Sequence, residues 1–182
     1  MKFTALPIAG AVRVDIEKRE DERGFFARTF CAREFADHGL ETAWVQMNSS
    51  LTRRTGSVRG MHFQRPPKAE VKFIRCIKGA VFDVIVDLRE GSPTYGRWHG
   101  TELTGDNRAM LYVPKGCAHG FQTLADDTEL LYLHSEFYSP EHEGGLRFDD
   151  PDVGIVWTLP IAEISTKDRQ HPLLGQVGSI RS

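Results

Sequence analysis

The run Arg59-Gly60-Met61-His62-Phe63-Gln64 sets one imidazole among small and apolar neighbours, and a second cation, Lys72, follows it. A neutral histidine has a reference pKa of about 6.5, so at pH 7 it is free to accept a proton. A lysine beside it can steady the negative charge that proton removal leaves behind. The pair suits general-base removal of a proton from an organic substrate. A third group, Tyr132 in Leu130-Leu131-Tyr132, carries a hydroxyl. Strand alternation puts Tyr132, His134 and Glu136 on one polar face.

Such groups need a frame of strands. Val12, Val14 and Ile16 alternate with period two and predict a half-buried strand over 12–16. Residues 18–24 read as a charged loop ending in Gly24, and 25–30 as an aromatic-rich strand. Residues 32–38 can make about two helical turns, with Gly39 as the stop. Further strands are expected over 44–49, 57–63, 71–77, 80–88, 98–103, 109–113, 119–123 and 128–137, with 51–56 an exposed basic loop. Arg65-Pro66-Pro67-Lys68 cannot stay in a central ladder, because proline has no amide donor. Lys78-Gly79 reads as a tight hairpin turn. Over 80–88, Phe82, Val84, Val86 and Leu88 share one face. Past Tyr138 the chain is rich in Pro, Gly and Asp, an ordered tail with a short helix near 161–165. Many short strands between turn residues, with almost no helical period, predict an all-β sandwich or barrel. There is no repeat, low-complexity tract or linker, so residues 1–182 read as a single domain.

The bulk numbers narrow the function. A chain of 182 residues buries roughly 70% of its unfolded surface and needs no staples. Its 23 basic and 25 acidic residues argue against a general nucleic-acid binder. A local cationic pocket for a phosphorylated small molecule stays open. Cys31, Cys76 and Cys117 are odd in number and far apart, which suits reduced thiols in the cytosol rather than zinc or disulfides. The first apolar run is broken by Pro7 and Gly10, unlike a signal peptide. No stretch approaches the roughly 20 apolar residues of a membrane span. A soluble cytoplasmic protein is expected.

Pro114-Lys115-Gly116-Cys117-Ala118-His119 resembles the second motif of the cupin barrel. The first cupin motif carries a His-x-His pair and a later Glu that bind a metal with the second-motif histidine. Here the pair reads His62-Phe63-Gln64, and the next strand offers Lys72. A cation repels a metal, and an amide oxygen is a poor ligand for a transition ion. The chain therefore resembles a cupin that has lost its metal, leaving His62, His119 and Lys72 for organic chemistry.

More specifically, the chain resembles the dTDP-4-dehydrorhamnose 3,5-epimerase family. The likeness rests on Asp21-Glu22-Arg23-Gly24-Phe25-Phe26, the Arg59–Gln64 run, Gly79-Ala80-Val81-Phe82-Asp83-Val84 and Gly91-Ser92-Pro93-Thr94-Tyr95-Gly96. It continues through residues 114–121, Phe137-Tyr138-Ser139-Pro140-Glu141-His142-Glu143 and Ser165-Thr166-Lys167-Asp168. One such segment is weak, but seven in order are specific beyond a shared fold. The resemblance implies a cupin-like jelly-roll (double-stranded β-helix) barrel with short peripheral helices. It also implies a homodimer with an exchanged N-terminal strand, and neither cofactor nor metal. The implied reaction inverts C3 and C5 of a nucleotide-linked 4-keto-6-deoxy sugar, toward L-rhamnose-type cell-surface polysaccharides. Hydrogens beside the C4 ketone are acidic, so the reaction needs a base, a cation at the ketone oxygen and an acid on the opposite face.

By resemblance His62 is the base, Asp168 the carboxylate that orients it, Lys72 the enolate stabiliser and Tyr132 the proton donor. His119 and Glu143 resemble sugar or ketone contacts. Arg23 and Arg59 match diphosphate-binding arginines, a role that suits a planar guanidinium. On a flat strand Arg59 would point away from His62, so a bulge at Gly60 is expected. Gln46 and Asn48 match nucleotide or sugar contacts, Phe26 and Tyr138 match aromatics that pack on the base, and Lys167 is a further nucleotide contact.

Arg28, Met47 and Leu133 stand where the family usually has Glu, Asp and Lys. Thymidine diphosphate is the expected handle, with cytidine or guanosine diphosphate sugars as alternatives. Inversion at C3 alone or C5 alone, a non-catalytic sugar-nucleotide binding module and a metal-dependent cupin oxygenase are the competing readings.

Overall fold

Apolar residues that alternate along short strands can bury both faces of a sheet only if something covers each face. In the computed structural model, which describes residues 1–181, this happens in three apolar clusters, one between two sheets and one on the outer face of each. In chain order the elements are β1 (Lys2–Ala5), β2 (Val12–Asp15), β3 (Arg19–Asp21), β4 (Gly24–Phe26), α1 (Ala32–Asp37), β5 (Gln46–Thr52), β6 (Ser57–Gln64) and β7 (Lys72–Lys78). They continue with β8 (Ala80–Asp87), β9 (Trp98–Thr104), β10 (Met110–Val113), β11 (Cys117–Thr123), β12 (Thr128–His134) and β13 (Glu143–Gly145). The last are β14 (Glu163–Ile164), α2 (Thr166–Arg169) and α3 (Leu174–Val177).

One sheet runs β1-β2-β10-β7-β12-β5 and the other β13-β6-β11-β8-β9, with β14 parallel beside β6. Their inner faces meet in a jelly-roll core that holds Ile74, Leu111 and Leu130 from the first sheet and Val81, Ile85 and Phe121 from the second. Val84, Val86 and Leu88 point outward under a cover of tail residues, among them Leu146, Val177 and Ile180. Phe35 of α1 packs against Phe73 and Met110 on the outside of the first sheet.

Several expected boundaries shift. Lys78-Gly79 is not a hairpin: β7 pairs with β10 and β12, whereas β8 pairs with β11 and β9. Gly79, at φ +76°, turns the chain from one sheet to the other, with Thr128 occupying the space a side chain would need. Residues 18–24 are largely the exposed hairpin of β3 and β4, in which Arg19 faces Phe26. Strand 25–30 accordingly stops at Phe26. β5 extends to Thr52 because its pairing with β12 is continuous from Gln46↔His134 to Thr52↔Thr128. β12 ends where that pairing ends, so Glu136 leaves the Tyr132 face and sits 3.3 Å from Lys68. The expected helix near 161–165 is instead β14, and α2 begins after Ser165, whose hydroxyl accepts from the Asp168 N–H at 3.0 Å.

The Ser92-Pro93-Thr94 segment closes around Asp87, whose side chain is fully buried. Its carboxylate accepts from Arg89 Nη2 at 2.7 Å, Thr94 Oγ1 at 2.6 Å and Ser92 Oγ. Burial alone would push this carboxyl up, but Arg89 and the two hydroxyls outweigh it and hold the pKa at about 2, below the ordinary 3.8. A depressed carboxyl stabilises the fold above its unfolded pKa, and that stability is lost as pH falls through the folded value. Asp87→Asn is therefore expected to cost about 2–3 kcal/mol at pH 7. Urea unfolding should show the gap to wild type narrowing between pH 5 and pH 2. A gap that is constant with pH would mean the charge is immaterial.

Candidate active site

His62 lies on β6 at the point where that strand is irregular. His119 faces His62 and Phe121 faces Arg59, so three steps on β6 oppose two on β11. The extra residue is the bulge anticipated at Gly60. Gly60 has φ +127°, and its bare Cα lies against Gly120, where a Cβ would come within 2.6 Å of the Gly120 Cα. The bulge turns Arg59 to the same side as His62, while Met61 and Phe63 stay in the outer cluster.

The free edge of β6 is completed piecemeal, and one piece is a side chain. Residues 57–58 pair with β14 and residues 62–64 with β13. Between them, the Gly60 N–H donates to Asp168 Oδ2 at 3.2 Å. Asp168 Oδ1 is 2.7 Å from His62 Nε2. Burial raises the Asp168 carboxyl, but the His62 hydrogen bond and charge, with help from Gly60 and Ser165, bring it below its ordinary value. It is therefore a carboxylate at neutral pH, suited to accept a hydrogen bond from His62 Nε2–H and leave Nδ1 basic. His171 approaches the same Asp168 oxygen to 3.4 Å, and burial lowers its pKa.

Lys72 is buried on β7, with Nζ 3.3 Å from the His62 carbonyl and 3.4 Å from Glu70 Oε1. Glu70 Oε2 in turn meets His134 Nδ1 at 2.7 Å. On the opposite wall His119 Nε2 lies 2.9 Å and 3.0 Å from the two oxygens of Asp83. Asp83 is wholly buried, and desolvation raises its pKa against the pull of His119. Tyr132 shares a 3.1 Å hydrogen bond with Ser50 Oγ, and burial pushes its phenol up, so it keeps its proton.

Three adjoining recesses share His62 as a wall. The one that reaches the barrel core has a volume of about 260 Å³ and is lined by Arg59, His62, Lys72, His119 and Tyr132. A second holds Gln46, Asn48, Tyr138 and Glu143 with Lys72. The third runs along Arg59, Lys167 and Asp168. Glu143 ties two sequence candidates together, 2.6 Å from Lys167 Nζ and 3.2 Å from the Tyr138 hydroxyl. Gln64 faces this site, yet its side chain is spent on the backbone: Oε1 accepts from Ser139 N at 2.6 Å, and Nε2 donates to the Lys68 carbonyl at 2.9 Å.

Two candidates stand apart. Arg23, with an 85% exposed side chain, is paired to Asp21 within the β3-β4 hairpin. Phe26 lies beside Arg28 and Glu34 in a separate recess. Neither reaches the His62 groove within one chain. Of the unusual positions, Arg28 pairs with Glu34 at 2.8 Å, Met47 is exposed, and Leu133 packs on the outer cluster of the first sheet. Sequence reasoning missed Asp83, Glu70, Ser50 and His171. Asp83 alone left a signal, being an acid between Val81 and Ile85 on an inward-facing strand register. Among the described residues, the group of side chains spaced to hold an ion is His62, Asp168 and His171.

Comparison with known proteins bears on this geometry. The family model described as dTDP-4-dehydrorhamnose 3,5-epimerase matches residues 5–176. The dTDP-4-dehydrorhamnose 3,5-epimerase of Sinorhizobium fredii is 45% identical over 96% of this chain and 90% of its own. The crystal structure of the Elizabethkingia anophelis enzyme of that name superposes with a TM-score of 0.94 at 37% identity, covering 97% of each chain. The dTDP-6-deoxy-D-glucose-3,5-epimerase of Legionella pneumophila, in complex with dTDP-4-keto-L-rhamnose, gives a TM-score of 0.92 at 33% identity over 100% of this chain and 98% of its own.

Proposed function

This chain belongs to the dTDP-4-dehydrorhamnose 3,5-epimerase family, and from that premise we propose how its residues divide the reaction. The enzyme is an isomerase that inverts C3 and C5 of a thymidine-diphosphate 4-keto-6-deoxyhexose, toward L-rhamnose biosynthesis. The observation that carries the division of roles is that His62, Lys72, His119 and Tyr132 line one recess.

His62 Nδ1 takes the proton from the carbon beside the ketone, and the C–H electron pair moves to the C4 oxygen. Asp168 stabilises the imidazolium that forms at a 2.7 Å contact. Lys72 supplies the positive charge for the enolate oxygen, and His119, held by Asp83, is a further contact to the sugar. Tyr132 then delivers its hydroxyl proton to the opposite face, which inverts the carbon. Solvent exchange resets base and acid. Arg59 and Lys167 take the diphosphate side of the groove, and Gln46, Asn48, Tyr138 and Glu143 the nucleotide and sugar.

Arg23 and Phe26 belong in this scheme to a second copy. The exposed β3-β4 hairpin and the open edge of β5, which carries Gln46 and Asn48, suit an exchanged arrangement in which one chain's hairpin completes its partner's groove. A single 20.5 kDa chain sedimenting alone at working concentration would remove that part. The whole chain acts as one domain. Cytoplasmic residence is supported by three cysteines, Cys31, Cys76 and Cys117, that stand as free thiols. No helix among the described residues is long and apolar enough to cross a membrane.

The decisive test is turnover of dTDP-4-dehydro-6-deoxy-D-glucose in D2O, read by NMR. Deuterium should enter at both C3 and C5. Label at one carbon only would make the enzyme a mono-epimerase, and label at neither would end the reading.

A further inference from the structure

Asp168 carries two imidazoles, and epimerisation uses one. His62 Nε2 is 2.7 Å and His171 Nε2 3.4 Å from the same carboxylate oxygen. The rings meet edge to face with centroids 5.5 Å apart. His171 is held firmly: its ring lies over Gly145, in the space that a Cβ there would fill. Its side chain is 11% exposed, and its Nε2 is buried without a hydrogen-bond partner. Native proteins rarely leave such a nitrogen unmet.

We propose that His62, Asp168 and His171 form a binding site for a divalent transition ion, zinc above all, and that the bound ion switches the epimerase off. The three ligand atoms lie within 4.8 Å of one another. Zinc bonds imidazole nitrogen and carboxylate oxygen at about 2.0–2.2 Å, which sets tetrahedral ligands roughly 3.4 Å apart. The His171–Asp168 separation of 3.4 Å already has that value. The His62–Asp168 contact must open by about 0.7 Å. Zinc imposes no d-electron geometry, so three protein ligands and one water or chloride from the groove complete the shell. This is not the old cupin centre, where Gln64 stands with its side chain committed to the backbone.

Inhibition follows from imidazole chemistry. An imidazole bound to metal through Nε2 keeps its remaining proton on Nδ1. That nitrogen then donates, and it cannot take a proton from the sugar. The ion also draws off the carboxylate that would stabilise the imidazolium. This consequence rests on His62 being the base, whereas ion binding does not.

Cobalt(II) is the probe for binding, because its tetrahedral complexes absorb strongly in visible light and its hexa-aqua ion only weakly. Titrating the full chain should show one equivalent bound with a visible band that zinc displaces. Zinc should depress wild-type turnover at least tenfold, and EDTA should restore it. His171→Gln should weaken cobalt binding and zinc inhibition by roughly 10–100-fold while leaving zinc-free turnover near wild type. Cobalt binding and zinc inhibition both surviving in His171→Gln would overturn the site. Cobalt binding that depends on His171 without any zinc inhibition would keep the site, overturn the switch and count against His62 as the base. If the variant does not fold, zinc-soaked wild-type crystals decide. An anomalous peak bounded by the three named atoms supports the site, and a peak elsewhere overturns it.

Discussion

His62→Ala is expected to fold like the parent and to lose about three orders of magnitude or more in turnover, the upper part of the range for a general base. The fold should survive because the His62 side chain is 34% exposed and its polar partner is Asp168 alone. Asp168 keeps the Gly60 N–H and its place in α2, so the lost contact should cost no more than about 1–3 kcal/mol. The β6 bulge is set by Gly60 against Gly120 and does not depend on the imidazole. The chemistry has no such reserve. Lys72 Nζ is engaged 3.4 Å from Glu70, and Tyr132 holds its proton, so neither replaces a neutral imidazole. Since one base serves both carbons, deuterium entry at C3 and C5 should fall together. A thermal melt checks the fold and product NMR checks the rate. A variant that keeps a tenth of wild-type turnover would remove His62 from the role given to it.

The amino-acid sequence carries the frame of this site better than its far contacts. Period-two runs such as Val12/Val14 and Phe82/Val84/Val86/Leu88 mark strands because alternation is a local property. Arg59 and His62 demanded a bulge on geometric grounds, and Gly60 supplies it. Which strands pair is not local: the sharp turn at Gly79 suits a hairpin and a sheet crossing equally, and only Thr128 packed against it tells them apart. The Asp168–His62 bond joins residues 106 positions apart and was readable only through resemblance. Asp83 poses the opposite problem. It stands out as an acid between Val81 and Ile85, but its meaning emerges only when His119 is found beside it on the neighbouring strand β11. Arg23 and Phe26 show a further limit, since nothing in the alternation of one chain tells that the β3-β4 hairpin stands away from the His62 groove.

Tyr132→Phe should separate two observables that ordinary loss of function would move together. The ring remains, so packing of Tyr132 against the barrel core is kept, and loss of the 3.1 Å bond to Ser50 should cost only about 0.5–1.5 kcal/mol. What disappears is the proton that the proposed scheme delivers to the face opposite His62. Desolvation foremost, with the negative charge of Asp83 adding to it, keeps the phenol protonated, so in the wild type that proton is present in essentially every turnover. Net inversion should therefore fall by about 100-fold or more, as expected when a positioned acid is removed. Abstraction by His62 and return of deuterium to the original face require no phenol. Recovered substrate in D2O should accordingly carry label at C3 or C5 at a rate reduced far less than product formation. Equal loss of both rates would give Tyr132 a part in binding or enolate stabilisation instead. A hydroxyl that merely held Ser50 would lower the melting temperature slightly and leave both rates alone, so the ratio of exchange to inversion, rather than either rate, identifies the acid.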